Sequence, residues 1–361
     1  MKFSIITPCY KCAKYVRETL DSVRTQKVAD WELICIDDGS PDETGRVLDD
    51  YLREHCAAVT ESERVIKAIG DEDRHPDAPK RILAGELPSG ARMTVVHQLN
   101  CGVSGARNTA LTLATGERVV FLDGDDLLSP WALELVERSV EKVPNVDIVE
   151  GGVVNFTGQG TFGWGECNGL VTVQDVSSEI PSDPFNGSFQ RFVFRRELIG
   201  NIAYKGVSCT EELGYMVRCF IRARLLAKTN DAFYGYRILV GSMSHQSVSF
   251  NRCVDAYDVT RSATRMIFES QKHISACQWR QLINRWSEMQ VDLISLLATP
   301  EERARAWTYW WEKLPKVKRY RIMCTRWQWA TICVCTTIHS RLLAFVFFYI
   351  PHWLKTKGVH R

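Results

Sequence analysis

Long hydrophobic runs are scarce in this 361-residue chain. Leu342–Ile350 is uninterrupted, but it falls far below the ~20 apolar residues of a spanning helix. Extending it back to Trp327 takes in Arg341 and His339, and a central Arg costs about 2.5–3.5 kcal/mol on insertion scales. A bundle of membrane helices is therefore excluded. Charge of one sign is also lacking: the net value is +2, with 24% charged residues, which gives no general pull toward nucleic acid. Cysteine is plentiful at 13, but metal-binding spacing is absent. Cys9 and Cys12 form a C-x2-C with no second pair at zinc-ribbon distance, and Cys333–Cys335 is too close-set. Scattered free thiols suit a reducing compartment. "MKFSIITP" enters a strand at once, without the n-region and h-region of a signal peptide. A cytoplasmic protein is expected.

What is present is an alternation. Phe3–Thr7 has the β-branched content of a strand, and Lys14–Arg24 places Val16, Leu20 and Val23 on one helical face. Trp31–Ile36 predicts a second strand, with Asp37-Asp38-Gly39-Ser40 as its turn, and Asp42–Leu52 a second helix. "MTVVHQLN" and Val103–Ala114 repeat the unit, as do Arg118–Leu122 and Trp131–Lys142, before the strand "VDIVEGGVVNF". His55–Arg92 is charged, carries Pro76, Pro79 and Pro88, and predicts a surface insertion. Such alternation indicates an α/β fold, a mostly parallel sheet with helices on both faces. Ligands then bind outside the carboxyl ends of the strands. Three polar features fall there: Pro8–Tyr10, Asp37-Asp38 and Asp123-Gly124-Asp125-Asp126.

A buried strand running into three aspartates needs positive charge nearby or a sharp turn into water. If Gly124 lets the backbone turn, Asp123 and Asp125 can converge on a hard divalent cation. An exposed aspartate-rich turn is the competing reading. For Asp37-Asp38-Gly39-Ser40 the plain reading is a type I turn. The functional one is a carboxylate accepting the ring N–H of uracil N3 or guanine N1, a polarity that adenine N1 cannot match.

The blocks "SIITPCYKCAKYVRETLDSVRTQ", "WELICIDDGSPDET", "NCGVSGARNTALTLATGERVVFLDGDDLLSP" and "EELGYMVRCF" resemble, as a set and in order, the family-two glycosyltransferases of the GT-A fold. The resemblance covers Lys2–Asp50 and Met93 to about Ser249. It implies an inverting transferase that uses a nucleotide-sugar donor with Mn2+ or Mg2+. Residue by residue, it implies that Thr7, Pro8 and Tyr10 surround the base and ribose and that Asp38 reads the base. Asn100, Gly102, Ser104 and Arg107-Asn108 match the family's block beside the nucleotide, and Asp123 and Asp125 match its D-x-D, with Asp125 the direct metal ligand. The family's catalytic base sits in a Glu-Asp pair opening a helix. Here that pair is Glu211-Glu212, so Glu212 is the expected base, one methylene longer than the usual Asp. A carboxylate near a helix N-terminus and a metal is expected to stay ionised. Residues 1–153 are thus read as the nucleotide-sugar half and 154–254 as the acceptor side, with 255–361 a helical, basic and aromatic region.

That last region holds eight of the eleven tryptophans, and from Glu301 onward 12 Lys/Arg stand against 3 Asp/Glu. Aromatics interleaved with cations suit an interfacial or shallowly inserted membrane element, and so a lipid-linked glycan acceptor at the inner face of the cell membrane; a helical subdomain packing its own tryptophans and a true span are the competing readings. Several features are set aside. Gly158-x-Gly160-x-x-Gly163 does not open a helix. Gln281–Trp286 has one residue too many for the motif of processive synthases. The Asn155 and Asn186 sequons mean nothing in a cytoplasmic protein, and a lone His245 is more often solvated than a ligand. Two rivals remain. A sugar-phosphate nucleotidyltransferase needs a Gly-rich phosphate loop that "ITPCYKCAKY" lacks. A non-catalytic membrane-surface protein predicts aspartates that bind no metal.

Overall fold

Successive residues of a strand buried on both faces feed opposite layers of core, and this chain is built on that alternation. The computed structural model describes residues 2–158, 163–178, 180, 189–205, 211–239, 249–270, 272–273, 297 and 299–313. In chain order the elements are β1 (Phe3–Cys9), α1 (Val16–Arg24), β2 (Trp31–Asp38), α2 (Thr44–His55), β3 (Ala57–Val65), β4 (Pro79–Glu86) and β5 (Arg92–Gln98). There follow α3 (Gly102–Leu113), β6 (Arg118–Phe121), β7 (Leu127–Leu128), α4 (Ala132–Lys142), β8 (Ile148–Thr157) and β9 (Thr172–Asp175). The rest are β10 (Phe192–Arg195), α5 (Arg196–Ile199), α6 (Glu211–Arg222), β11 (Leu225–Ile238), α7 (Phe250–Glu269) and α8 (Pro300–Lys313).

One 11-stranded sheet runs in the order β3-β4-β5-β2-β1-β6-β10-β8-β11-β7, with β9 paired to β11. Its centre, β5-β2-β1-β6, is parallel. Ile5, Leu33, Val95 and Val120 point to the layer where α1, α2 and α4 bury Val16, Leu20, Leu48, Leu52 and Val136. Their neighbours Ile6, Ile34, Val96, Val119 and Phe121 point the other way, against Ala106 and Ala110 of α3 and Tyr215 and Phe220 of α6. Each large aliphatic side chain so buried stabilises by about 1.5–3 kcal/mol.

Three regions differ from the sequence reading. The 55–92 insertion carries strands that were not anticipated: β3 and β4 extend the sheet antiparallel beyond β5. Ile82 and Leu83 of β4 enter opposite core layers, and that short run was hidden among charges. Asp37 and Asp38 are not a turn but the last residues of β2, because β5 presents His97 and Gln98 opposite them. The region after 155 holds three further strands, β9 at the edge of the sheet on β11 and two within it. β10 is wedged antiparallel between β6 and β8, and β11 pairs with β8 across an irregularity between Lys228 and Ala232 that had the polarity of a loop. The eight cysteines among the described residues are free thiols. No helix among these residues is long and apolar enough to cross a membrane. His245, Asn186, Gln281–Trp286 and the basic aromatic stretch from Leu314 lie outside them.

Candidate active site

Parallel strands bring their C-terminal ends to one edge, and the first acidic group there closes β2. Asp38 is 3% exposed. Its Oδ1 accepts from Gln98 Nε2 and from the Cys101 N–H, both at 2.8 Å, and Asn100 donates to its backbone carbonyl at 2.8 Å. Burial still pushes the Asp38 carboxyl up, opposed by the Cys101 amide. Asp37 faces His97 Nδ1 at 2.9 Å, while His97 Nε2 faces Asp49 of α2 at 2.8 Å. Burial pulls the imidazole pKa down, but the carboxylates of Asp37 and Asp49 outweigh it and the net shift is upward. Gly39 follows with φ +66°, and a Cβ there would lie 2.9 Å from Asn100 N, so this turn requires glycine. Tyr10 (48% exposed) and Leu99 (55%) stand just past the ends of β1 and β5, on either side of Asp38. Pro8 is half-buried beside Tyr10. Thr7 is fully buried in β1, and its hydroxyl has no hydrogen-bond partner among the described residues. Gly102 opens α3 with a positive φ.

The second acidic group follows β6. Arg107 of α3 is buried, and its Nη2 lies 2.9 Å from both Asp123 Oδ1 and Glu212 Oε1. Gln190, in a 3-10 turn at Phe189–Arg191, donates to Asp123 Oδ2 at 2.5 Å and to Glu212 Oε1 at 3.1 Å. Two donors thus bridge two carboxylates from four distant stretches of chain. Behind them Tyr204 and Tyr215 stack at 4.0 Å, with the Arg107 guanidinium 5.2 Å from the Tyr204 ring. Such an apolar wall strengthens the charged hydrogen bonds in front of it. It also reverses the expectation for Glu212, whose helix position alone would hold its pKa down. Burial pushes it up, Arg107 pulls it down, Asp123 pushes it up again, and the net direction is upward.

Asp125 is different. Among the described residues its carboxylate is met by its own backbone N–H and by no other residue's hydrogen bond or ion pair, and burial together with Asp123 pushes its pKa to about 6. A carboxylate that no other residue engages, beside a second one, fits a hard divalent cation. No group of three or more His, Cys, Asp or Glu forms a metal cage among the described residues. Asp126 is structural, accepting from Tyr234 Oη at 2.6 Å and from the Arg237 N–H at 2.7 Å. The buried Arg237 side chain donates to the Asp125 carbonyl at 2.6 Å, pairs with Glu18 of α1 at 2.9 Å and reaches the Gly158 carbonyl. Gly124 takes no positive φ; it is needed for room, since a Cβ would meet Cys12 Sγ at 2.8 Å.

The sequence model described as Glycosyl transferase family 2 matches residues 4–70 and 69–202. The chain belongs to glycosyl transferase family 2. Among curated relatives, the uncharacterized glycosyltransferase EpsJ of Bacillus subtilis is 25% identical over 65% of this chain and 60% of its own length. The poly(ribitol-phosphate) beta-glucosyltransferase of Bacillus spizizenii is 29% identical over 69% of this chain and 34% of its own. The chain thus matches under two thirds of either relative. Among solved structures, S. aureus TarS 1-349 in complex with UDP superposes with a TM-score of 0.62 at 19% identity, covering 94% of this chain and 87% of that one. The fold is the mixed α/β GT-A fold, with a large, mostly parallel sheet flanked by helices.

Of the residues anticipated from sequence, Asp123, Arg107 and Glu212 meet directly, as do Asp38 and Asn100. Asp125 shares their turn without sharing their hydrogen bonds. Four residues were missed: His97, Gln190, Tyr234 and Arg237. His97 had a signal, being the polar residue of an apolar strand level with Asp37. Gln190, Tyr234 and Arg237 had none, since β10 and β11 were not read as strands.

Proposed function

We propose that the chain is a non-processive, inverting glycosyltransferase. It moves a sugar from a UDP- or GDP-sugar, UDP favoured, to a hydroxyl of a glycan or lipid-linked glycan during surface polysaccharide assembly. The observation that carries this reading is the Asp123–Arg107–Glu212–Gln190 cluster beside Asp125, whose carboxylate no other described residue engages, at the strand ends where an α/β sheet binds ligands. Family membership sets it ahead of nucleotidyl transfer and of a non-catalytic surface protein. The polysaccharide setting is supported by the name of the poly(ribitol-phosphate) relative, and UDP by the TarS complex.

Asp38 accepts the base N–H, and Tyr10 lies against base or ribose. Asp125, with Asp123 beside it, would hold Mn2+ or Mg2+, with donor phosphates and water completing the shell. When bound, that ion supplies charge neutralisation for the departing diphosphate. Glu212 Oε1 is engaged by Arg107 and Gln190, while Oε2 has no hydrogen bond among the described residues. Oε2 therefore takes the proton of the acceptor hydroxyl as its oxygen attacks the anomeric carbon opposite the leaving group, which inverts that centre. A carboxylate more basic than usual suits the task. The basic, aromatic C-terminal region would hold the enzyme at the inner membrane surface, near a lipid-linked acceptor.

Binding of UDP and GDP with and without Mn2+, beside Asp125→Ala, tests the reading. The expected result is Mn2+-dependent binding of UDP that the substitution abolishes. Binding of neither nucleotide under any condition would overturn it.

A further inference from the structure

We propose that Gln190 is a positioning residue that fixes the base carboxylate of Glu212 relative to the donor-side carboxylate of Asp123. The inference rests on the reading of Glu212 as base. No recognisable motif surrounds Gln190; its place comes from topology. β10 pairs antiparallel with β6 through Val193–Val120 and Phe194–Val119. Continuing that register past Phe192 sets Gln190 opposite Asp123, where the first turn of α6 also arrives.

An amide suits this position for a specific reason. Asp123 and Glu212 are acceptors only when ionised, and like charges this close repel. Arg107 offsets the repulsion from the α3 side, and one of its nitrogens serves both carboxylates. The Gln190 amide brings a second donor group from the β10 side, bonding to Asp123 Oδ2 and Glu212 Oε1 without adding charge. With a donor on each side, neither carboxylate can rotate alone, and Glu212 Oε2 is left available for the acceptor hydroxyl. A buried glutamine, 5% exposed, gains little from this site unless its amide is satisfied there. Removing it should leave nucleotide binding nearly intact, because Asp38, Tyr10 and Asp125 are untouched and Asp123 keeps its pairing with Arg107. The loss should fall on turnover.

The test compares wild type, Gln190→Ala, Gln190→Glu and Glu212→Gln, each first checked by thermal melting. Two readouts are taken: calorimetric binding of UDP with Mn2+, and release of UDP from UDP-glucose and UDP-GlcNAc in Mn2+ buffer. Gln190→Ala is expected to bind UDP within threefold of wild type, with a similar donor KM, and to lose tenfold or more in kcat. Gln190→Glu, which sets a third carboxylate between the first two, should lose more, again in kcat. Wild-type kcat in Gln190→Ala beside an inactive Glu212→Gln overturns the inference and leaves the base assignment standing. A fully active Glu212→Gln overturns the base assignment, and the inference with it.

Discussion

Asp38 and Asp125 end β2 and lie just past β6, the two strands that flank β1, and their surroundings are opposite. Asp38 is met by a side-chain amide from β5 and by the backbone at the head of α3, and its neighbour Asp37 is held by His97. Among the described residues no other side chain or strand brings a donor to the carboxylate of Asp125, which has only its own backbone N–H, while the backbone carbonyl is held by Arg237. The first group is finished by the protein itself. The second is left open by the protein, and a buried carboxylate so left lowers the stability of the fold.

Substituting each acid in turn breaks the comparison most directly. Asp38→Ala leaves two buried donors, Gln98 Nε2 and the Cys101 N–H, without their acceptor, and an unmet buried donor costs about 1–3 kcal/mol. A loss of roughly 2–5 kcal/mol is expected in chemical denaturation, together with loss of UDP binding. An unchanged midpoint would mean that Asp38 is less embedded than its hydrogen bonds indicate.

Asp125→Asn should act in the opposite direction. An upward shift from 3.8 to about 6 corresponds to no more than about 3 kcal/mol against the ionised form, and partial exposure reduces that. The metal-free variant should therefore be more stable than wild type by roughly 1–2 kcal/mol at pH 7.5 in chemical denaturation, while losing Mn2+-dependent UDP binding at least tenfold. Because the folded-state value is the raised one, the gain is full above about pH 6 and gone below the unfolded value of 3.8. A variant that is less stable at every pH would sink the contrast.

The smallest effect sharpens the picture of the Asp38 side. His97 is raised above its ordinary 6.5 by Asp37 and Asp49 against the pull of burial. Its ion pairs are fully present below about pH 6.5 and are lost as pH rises through the higher folded-state value. His97→Gln should cost about 1 kcal/mol at pH 6, and the difference in melting temperature from wild type should narrow toward alkaline pH. A gap that stays constant would mean that the imidazole is not held as a cation.

The fold and half of the site were legible because they are local. Val16, Leu20 and Val23 mark α1 by spacing alone, and the runs around Ile34 and Val120 mark strands buried on both faces. The aspartates announced themselves by interrupting those runs. What was missed sits where the local signal is poor. β4 hides Ile82 and Leu83 between charges, and β11 carries Lys-Thr-Asn-Asp in its middle at an irregularity of pairing. Without β11 there is no Tyr234 or Arg237 behind the D-x-D, and without β10 there is no Gln190.

The chain by itself determined the parallel centre of the sheet, the strand ends that carry Asp38, Asp123 and Asp125, and the helix that carries Glu212. These follow from periodicity and turn chemistry, which act between residues a few positions apart. Only the tertiary structure decided how each carboxylate is met. The charge that balances Asp123 and Glu212 comes from Arg107, and the counter-charge near Asp125 from Arg237, far away along the chain. Whether a carboxylate is satisfied, raised or left open depends on burial and on donors brought by other strands, and no spacing within a motif encodes those.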